Sequence, residues 1–179
     1  SSKLSKFNTT TKSIDGVFEI TADTFLDIAM KGDSLIALRQ TSVTEINIDT
    51  MTLIKNIPSS NIINPQRIQA TRNNVFVLCS SALLTFDSLL KYKGKRTTGL
   101  SDASCISIYG KFLIVANNTG GLSIYDSSSV PASLINTINV QVSPNIFINS
   151  IVVGSVYYIT DSLSGNLLEY NIDGLICGG

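Results

Sequence analysis

Carboxylate and carboxamide side chains recur at regular intervals along this sequence, each directly after an apolar or aromatic residue. The five occurrences are Phe7-Asn8-Thr9, Ile48-Asp49-Thr50, Phe86-Asp87-Ser88, Tyr125-Asp126-Ser127 and Tyr170-Asn171-Ile172, separated by 41, 38, 39 and 45 residues. Oxygen ligands of this kind could bind a metal ion or act in catalysis. However, Asp and Asn at the start of a tight turn accept hydrogen bonds from the backbone. Because the residue returns in every unit, the pattern favours the structural role.

The other residues able to do chemistry do not form a recognisable set. The chain has no His, which is the commonest general base and metal ligand. Its few glutamates (Glu19, Glu45 and Glu169) fall on predicted strands. Cys79, Cys105 and Cys177 form no CxxC motif, so buried free thiols are expected, with one disulfide as the alternative. The sequence therefore predicts no catalytic residue, no metal site and no cofactor.

Composition narrows the classes of protein further. The 179 residues are 44% hydrophobic and only 15% charged, with no net charge. No apolar run reaches the ~20 residues of a membrane span, and neutrality gives no reason to expect nucleic acid as a partner. Polar faces rich in Ser, Thr and Asn favour an extracellular or cell-surface location, where Asn8 and Asn117 could be glycosylated.

The elements that position these residues repeat with the same period of about 40 residues, which is typical of four-stranded propeller blades. An apolar tetrad precedes each later Asp or Asn phrase: Leu35–Leu38, Val75–Leu78, Phe112–Val115 and Val156–Ile159. Shorter strands are predicted before the tetrads (Leu26–Met30, Arg67–Thr71, Cys105–Tyr109, Ile146–Val152) and after the phrases (Thr52–Ile57, Leu89–Lys93, Ser133–Ile138, Leu175–Cys177). The units divide the chain into residues 1–20, 21–58, 59–96, 97–140 and 141–179.

The tetrads distinguish stacked blades from a sheet with one solvated face. A strand with one wet face alternates apolar and polar residues. Three of the tetrads are apolar at every position, so both faces of that strand are expected to be buried. We therefore predict an all-β chain, a β-propeller of four-stranded antiparallel blades.

Residues 112–138, FLIVANNTGGLSIYDSSSVPASLINTI, resemble the LVIVD repeat of bacterial and archaeal surface-associated propellers. The matching parts are the strand Phe112–Val115, the turn Gly120-Gly121, the strand Leu122–Asp126 and the outer strand Leu134–Ile138. Ile46-Asn47-Ile48-Asp49-Thr50 is more similar to the YVTN variant. Propellers of this type include adhesion and assembly modules as well as sugar-lactone hydrolases, so the resemblance implies a fold rather than a function.

The units number about four and a half, because residues 4–20 read as only the third and fourth strands of a blade. Two arrangements are compatible with this count. The chain is either a segment of a larger ring, or a small closed ring in which Val17–Ile20 supplies the outer strand of the last blade. Closure matters because an open stack leaves an unpaired edge.

Loops at one end of a propeller vary most freely, so they are the expected binding face. Candidate residues there are Arg39, Gln40, Asp102, Asn117, Asn118 and Asp161. The first hypothesis is a non-catalytic scaffold that binds protein partners, or further blades of the same protein, on a cell or particle surface. The alternatives are a metal-dependent hydrolase of the lactonase type, whose site missing blades would complete, and a glycan-binding module.

Overall fold

The computed structural model describes residues 2–20, 23–118, 121–139 and 146–177. In chain order the elements are β1 (Ser2–Asn8), β2 (Ser13–Ile20), β3 (Phe25–Lys31), β4 (Ser34–Arg39), β5 (Ser42–Asn47), β6 (Thr52–Pro58), β7 (Pro65–Ala70), β8 (Asn74–Cys79), β9 (Ala82–Asp87), β10 (Tyr92–Arg96), β11 (Ala103–Tyr109), β12 (Phe112–Asn117), β13 (Gly121–Asp126), β14 (Ser133–Asn139), β15 (Phe147–Val153), β16 (Val156–Asp161), β17 (Asn166–Asn171) and α1 (Ile172–Cys177).

The strands form antiparallel meanders in chain order, as in the blades of a propeller. Blade 1 contains β3–β6, blade 2 contains β7–β10, blade 3 contains β11–β14, and blade 4 contains three strands among the described residues, β15–β17. The N-terminal hairpin, β1–β2, is a separate two-stranded sheet. The first strands of successive blades contact one another, β3 with β7, β7 with β11 and β11 with β15, so they form the inner wall of the ring. The chain is a partial β-propeller.

The core lies between the blades rather than within one sheet. One apolar cluster joins blades 1 and 2, a second joins blades 2 and 3, and a third joins blades 3 and 4. Val75, Phe76, Val77 and Leu78 on β8 are all fully buried, because blade 2 has a neighbour on each face. The expectation that both faces of the tetrads are covered is confirmed for this strand.

The repeat extends to irregularities that the sequence did not reveal. In every blade a β-bulge interrupts the pairing between the first two strands. The bulged residue, which has no partner in the ladder, is Leu26 in blade 1, Gln66 in blade 2, Ser104 in blade 3 and Ile148 in blade 4. A β-bulge also occurs in the outer strands of blades 1, 2 and 3, at Ile54, Lys93 and Ile135 respectively, and in β2, at Asp15. Because β2 carries this bulge, the hairpin matches the third and fourth strands of a blade.

The repeated Asp and Asn residues accept hydrogen bonds from turn backbone, as expected. In blade 1, however, the residue with this role lies two positions before the predicted one. The carboxyl oxygen of Asp87 accepts hydrogen bonds from the backbone N–H groups of Leu89 (3.0 Å) and Lys91 (2.9 Å). In blade 1 Asn47, rather than Asp49, accepts the equivalent bonds from Asp49 and Thr50 (both 2.9 Å). Asn47 ends β5, so the backbone register decides which of the two residues serves.

Two predicted outer strands differ in the structure. The outer strand of blade 2 is Tyr92–Arg96 instead of Leu89–Lys93, because the turn held by Asp87 extends through Leu90, whose φ is 59°. The expected strand Leu175–Cys177 is wrong, since α1 occupies that segment. Asn171 starts this helix by accepting hydrogen bonds from the N–H groups of Asp173 (2.9 Å) and Gly174 (3.4 Å), as an N-cap residue does.

Closure by Val17–Ile20 is also wrong. These residues belong to β2, which pairs with β1, and the part of the chain that is described has no outer strand in blade 4. α1 buries Ile172 and Leu175 against the cluster between blades 3 and 4 instead. The ring is therefore open between blade 4 and the N-terminal hairpin.

Candidate functional site: the loop end

The loops that connect second to third strands, and outer strands to the next blade, meet at one end of the ring. We call this end the loop end. The second-to-third loops cover residues 40–41, 80–81, 118–120 and 162–165, and the loops between blades cover 59–64, 97–102 and 140–146. Residues 119–120 and 140–145 lie outside the described part of the chain, and with them the Gly120 half of the predicted Gly120-Gly121 turn.

The last residue of the second strand has the same role in each blade. These four residues, which we call the latch residues, are Arg39, Cys79, Asn117 and Asp161. Each contacts the segment that leads into the first strand of its own blade: Arg39 pairs with Asp23 (2.9 Å), Cys79 accepts from the N–H of Ile63, Asn117 from that of Ser101 (3.0 Å) and Asp161 from that of Ile146 (3.1 Å). The latch residues therefore hold the loops rather than a ligand.

Asn117 shows how completely a latch side chain is used. It is only 3% exposed, and its Nδ2 donates to the carbonyl of Gly99 (3.2 Å) and to Ser123 Oγ (3.2 Å) while its Oδ1 accepts from Ser101. The expectation that Asn117 lies on an accessible binding face is wrong because its amide is buried and hydrogen-bonded, whereas the expectation that it accepts a glycan stays a prediction.

Asp161 is likewise inaccessible, with 2% of its surface exposed. Its carboxylate accepts from Ser164 Oγ (2.7 Å) and from the backbone N–H groups of Leu163 and Ile146 (both 3.1 Å). The Ser164 hydroxyl, followed by these N–H groups, lowers the pKa of Asp161 below its usual value. Asp161 is therefore an ionised structural group, and its assignment to the accessible face is also wrong.

Of the other four predicted binding residues, two are held in contacts within the chain and two are exposed. Arg39 pairs with Asp23 and also donates to Asn56 (3.3 Å), so its guanidinium is mostly covered. Asn118 links blades 3 and 4 by donating to Asp102 (3.1 Å) and accepting from the N–H of Phe147 (3.0 Å). Gln40 and Asp102 are exposed, so they remain available to a partner.

The predicted glycosylation residue Asn8 is held in the turn between β1 and β2. Its Oδ1 accepts from the N–H groups of Thr10 (2.9 Å) and Thr11 (3.1 Å), and its Nδ2 donates to Asp15 (2.8 Å). A glycan on Nδ2 would replace the contact with Asp15, although the turn itself is exposed.

Sequence reasoning missed the apolar residues of the loop end, because it treated these loops as polar. Ile63 is 66% exposed, Leu163 is 58% exposed and Ile146 is 50% exposed. Ile62, next to Ile63, is buried. The sequence signal for an apolar residue in this loop was therefore the Ile62-Ile63 pair between Asn61 and Asn64. Exposed apolar side chains indicate a protein-binding surface where they form a contiguous patch, whereas single ones are common on any protein surface.

A polar cavity of about 290 Å³ lies on the ring axis. All four inner strands line it, through Leu26 and Asp27 of β3, Arg67 and Gln69 of β7, Ile106 of β11, and Asn149 and Ser150 of β15. Arg67 donates to the carbonyls of Gln66 (2.9 Å) and Ile148 (2.8 Å), and Asp27 accepts from the N–H of Ile68 (2.8 Å). The bond from Arg67 to Ile148 joins β7 to β15, and the bond from Ile68 to Asp27 joins β7 to β3.

The described residues contain no group of three His, Cys, Asp or Glu side chains placed to hold a metal ion. Cys79 and Cys105 are buried free thiols, as expected, and burial raises the pKa of each thiol. The side chain of Cys177 lies outside the described residues. No helix within the described ranges has the length and apolar character of a membrane span.

The chain matches no protein-family model and no curated protein sequence. Its fold, however, is similar to those of many solved structures. They include hydrazine synthase of Kuenenia stuttgartiensis (TM-score 0.72, 16% identity, 87% of this chain and 48% of that chain), BamB from Moraxella catarrhalis (0.68, 11%, 93% and 50%) and the mitotic checkpoint complex (0.75, 7%, 94% and 54%). At these identities the similarity shows the propeller fold alone. The chain spans about half the length of each of these three chains.

Proposed function

We propose that this chain is a non-catalytic propeller scaffold that binds a protein partner through its loop end. The observation that supports this most directly is the exposure of Ile63 and Leu163 on loops fixed by latch residues. A few residues contribute most of the affinity in a protein interface, and the buried centre of such an interface is more apolar than its rim. The exposed Gln40 and Asp102 would supply hydrogen bonds around them.

The structural use of the polar side chains supports a non-catalytic role. Asn117 and Asp161, the best-placed polar groups at the loop end, are buried and bonded to backbone groups. Glu45 is paired with Lys31 at 2.8 Å, and Asp27 is the one carboxylate among the residues lining the axial cavity. A lactonase-type site or a glycan-binding site has no comparable observation in its favour among the described residues.

Two further assignments belong to this proposal. Surface display outside the cell is supported by the low charge content and the Ser-, Thr- and Asn-rich polar faces. Membership of the LVIVD or YVTN repeat class is supported by the sequence of residues 112–138. Structural similarity supports the propeller architecture that such repeats adopt.

The test compares two ends of the same ring. Immobilised chain is exposed to an extract of its source, and bound proteins are quantified for the parent, Ile63→Asp and Leu89→Asp. Leu89 is the matched control, because it is 71% exposed in the turn after β9 at the opposite end. We expect Ile63→Asp to reduce recovery of a specific partner at least tenfold and Leu89→Asp to leave it unchanged. Equal recovery by all three proteins would contradict binding through the loop end.

A further inference from the structure

Blade 4 presents an uncovered apolar face on the side away from blade 3. Register places Ile151 opposite Tyr158, and Leu167 opposite Thr160, on this side of the sheet. Ile151 is 60% exposed, Val153 is 58% exposed and Leu167 is 61% exposed. A hollow of about 160 Å³ lies among Ile151, Tyr158 and Leu167. We call this surface the tail face.

The tail face continues the series of blade-to-blade interfaces within the chain. Leu83, Leu122 and Leu167 are each the second residue of the third strand of their blade. The next blade covers Leu83 and Leu122, which are fully buried in the clusters between blades. Leu167 occupies the position at which a further sheet would pack, and no sheet formed by the described residues covers it.

The N-terminal hairpin carries the complementary uncovered face. One side of it contacts blade 1, where Phe18 packs on Phe25 at 6.1 Å and Lys6 pairs with Asp49 at 3.8 Å. The other side carries Phe7 opposite Ile14, Ser5 opposite Val17 and Lys3 opposite Glu19. Phe7 is 56%, Ile14 61% and Val17 47% exposed. We call this second surface the head face.

We propose that the tail face of one chain packs against the head face of a second copy, extending the propeller head to tail. In a propeller each sheet packs its forward face on the following sheet, and the head face is the side of the hairpin that a preceding blade would cover. A copy of this chain therefore carries both halves of the missing interface. This surface is separate from the loop end, so the inference does not depend on the proposed function.

The absence of net charge is compatible with a second copy as the occupant. The chain has no net charge, so two copies do not repel each other. The tail face carries the exposed carboxylate of Glu169, and the head face carries Lys3 and Glu19, which pair with each other at 3.2 Å.

The first test measures self-association of this chain by sedimentation over a wide range of concentration. We expect a species of at least twice the monomer mass, and we expect Leu167→Lys or Val17→Lys to raise the dissociation constant at least tenfold. Both residues are exposed in the single chain, so a lysine there leaves the monomer folded, which circular dichroism checks. Ile135→Lys is the matched control, because Ile135 is 45% exposed on β14 away from both faces.

The second test distinguishes head-to-tail contact from contact between two identical faces. Neither Leu167→Lys nor Val17→Lys should associate alone, but an equimolar mixture should, because it contains one intact tail face and one intact head face. The proposal is overturned by a parent chain that stays monomeric throughout, as it would if further blades of a longer protein covered these faces. It is equally overturned if either variant associates like the parent, if the mixture fails to associate, or if Ile135→Lys weakens association as strongly.

Discussion

Leu122 in blade 3 and Leu167 in blade 4 occupy the same register position but have opposite environments. Both are the second residue of a third strand, and both belong to sheets built from the same repeat. Leu122 is fully buried, whereas Leu167 is 61% exposed. The difference arises because blade 3 has a blade on each side and blade 4 has one only on the side of blade 3.

The same contrast runs along the second strands. Every residue of β8 is buried, but β16 alternates between buried Tyr157 and Ile159 and less buried Tyr158 and Thr160. An apolar tetrad thus indicates two buried faces only when a neighbouring blade is present on each. In a repeat protein the stabilisation of one unit depends largely on the interfaces with its neighbours.

The largest expected effect is that of Leu122→Ala. Leu122 lies in the cluster between blades 3 and 4, so its truncation removes buried apolar surface and leaves a cavity. We expect a loss of about 2–5 kcal/mol in the free energy of unfolding, measured by urea denaturation. A loss below about 1 kcal/mol would show that blades 3 and 4 do not pack tightly.

A smaller loss is expected from Asn117→Ala, which removes a latch. The substitution leaves the N–H of Ser101 without its side-chain acceptor and removes one of the two side-chain donors to the carbonyl of Gly99, the other being the hydroxyl of Ser123. Such a loss costs about 1–3 kcal/mol. Chemical denaturation measures it, and Gln40→Ala, at an exposed position of the same loop end, is the control expected to change nothing. Equal stability of the two variants would contradict the latch role of Asn117.

The sequence predicted the repeat well because burial and turn chemistry leave strong local patterns. The apolar tetrads place β8 and β12 correctly, and Asp87 and Asp126 mark the ends of β9 and β13. The pattern failed where two residues satisfied it equally, as with Asn47 and Asp49. The pattern also predicted an outer strand after Asn171, where the structure has α1. An Asn at a helix N-cap and an Asn in a turn accept the same kind of backbone hydrogen bonds, so the sequence did not distinguish them.

The latch residues could not be recognised from sequence. An arginine, a cysteine, an asparagine and an aspartate perform one task by an ion pair, a thiol contact, an amide and a carboxylate, so no residue type repeats. Their chemistry therefore looked like a binding face. Only the register, which places all four at the end of a second strand, reveals their equivalence.

The pH dependence of the free energy of unfolding should distinguish the latch residue Asp161 in blade 4, which is ionisable, from the latch residue Asn117 in blade 3, which is not. Because the folded state lowers the pKa of Asp161, the ionised carboxylate stabilises the fold above the unfolded pKa of about 3.9. This contribution is lost as the pH falls through the lower pKa of the folded state. We expect Asp161→Asn to reduce the acid-induced loss of stability, followed by urea denaturation between neutral and acidic pH. Asn117 has no ionisable group, so Asn117→Ala should keep the parent's pH profile, and an unchanged profile in Asp161→Asn would contradict this assignment.

The smallest effect is expected from Leu167→Ala, the exact counterpart in register of the first substitution. Leu167 is already mostly in solvent in the single chain, so truncation removes little buried surface and creates no cavity. We expect the free energy of unfolding to change by no more than about 0.5 kcal/mol when measured at concentrations where the chain is monomeric. A loss approaching that of Leu122→Ala under those conditions would mean that something within the same chain covers blade 4. Because both substitutions remove the same atoms from the same position of the repeat, the difference between them measures what a neighbouring blade contributes at that position.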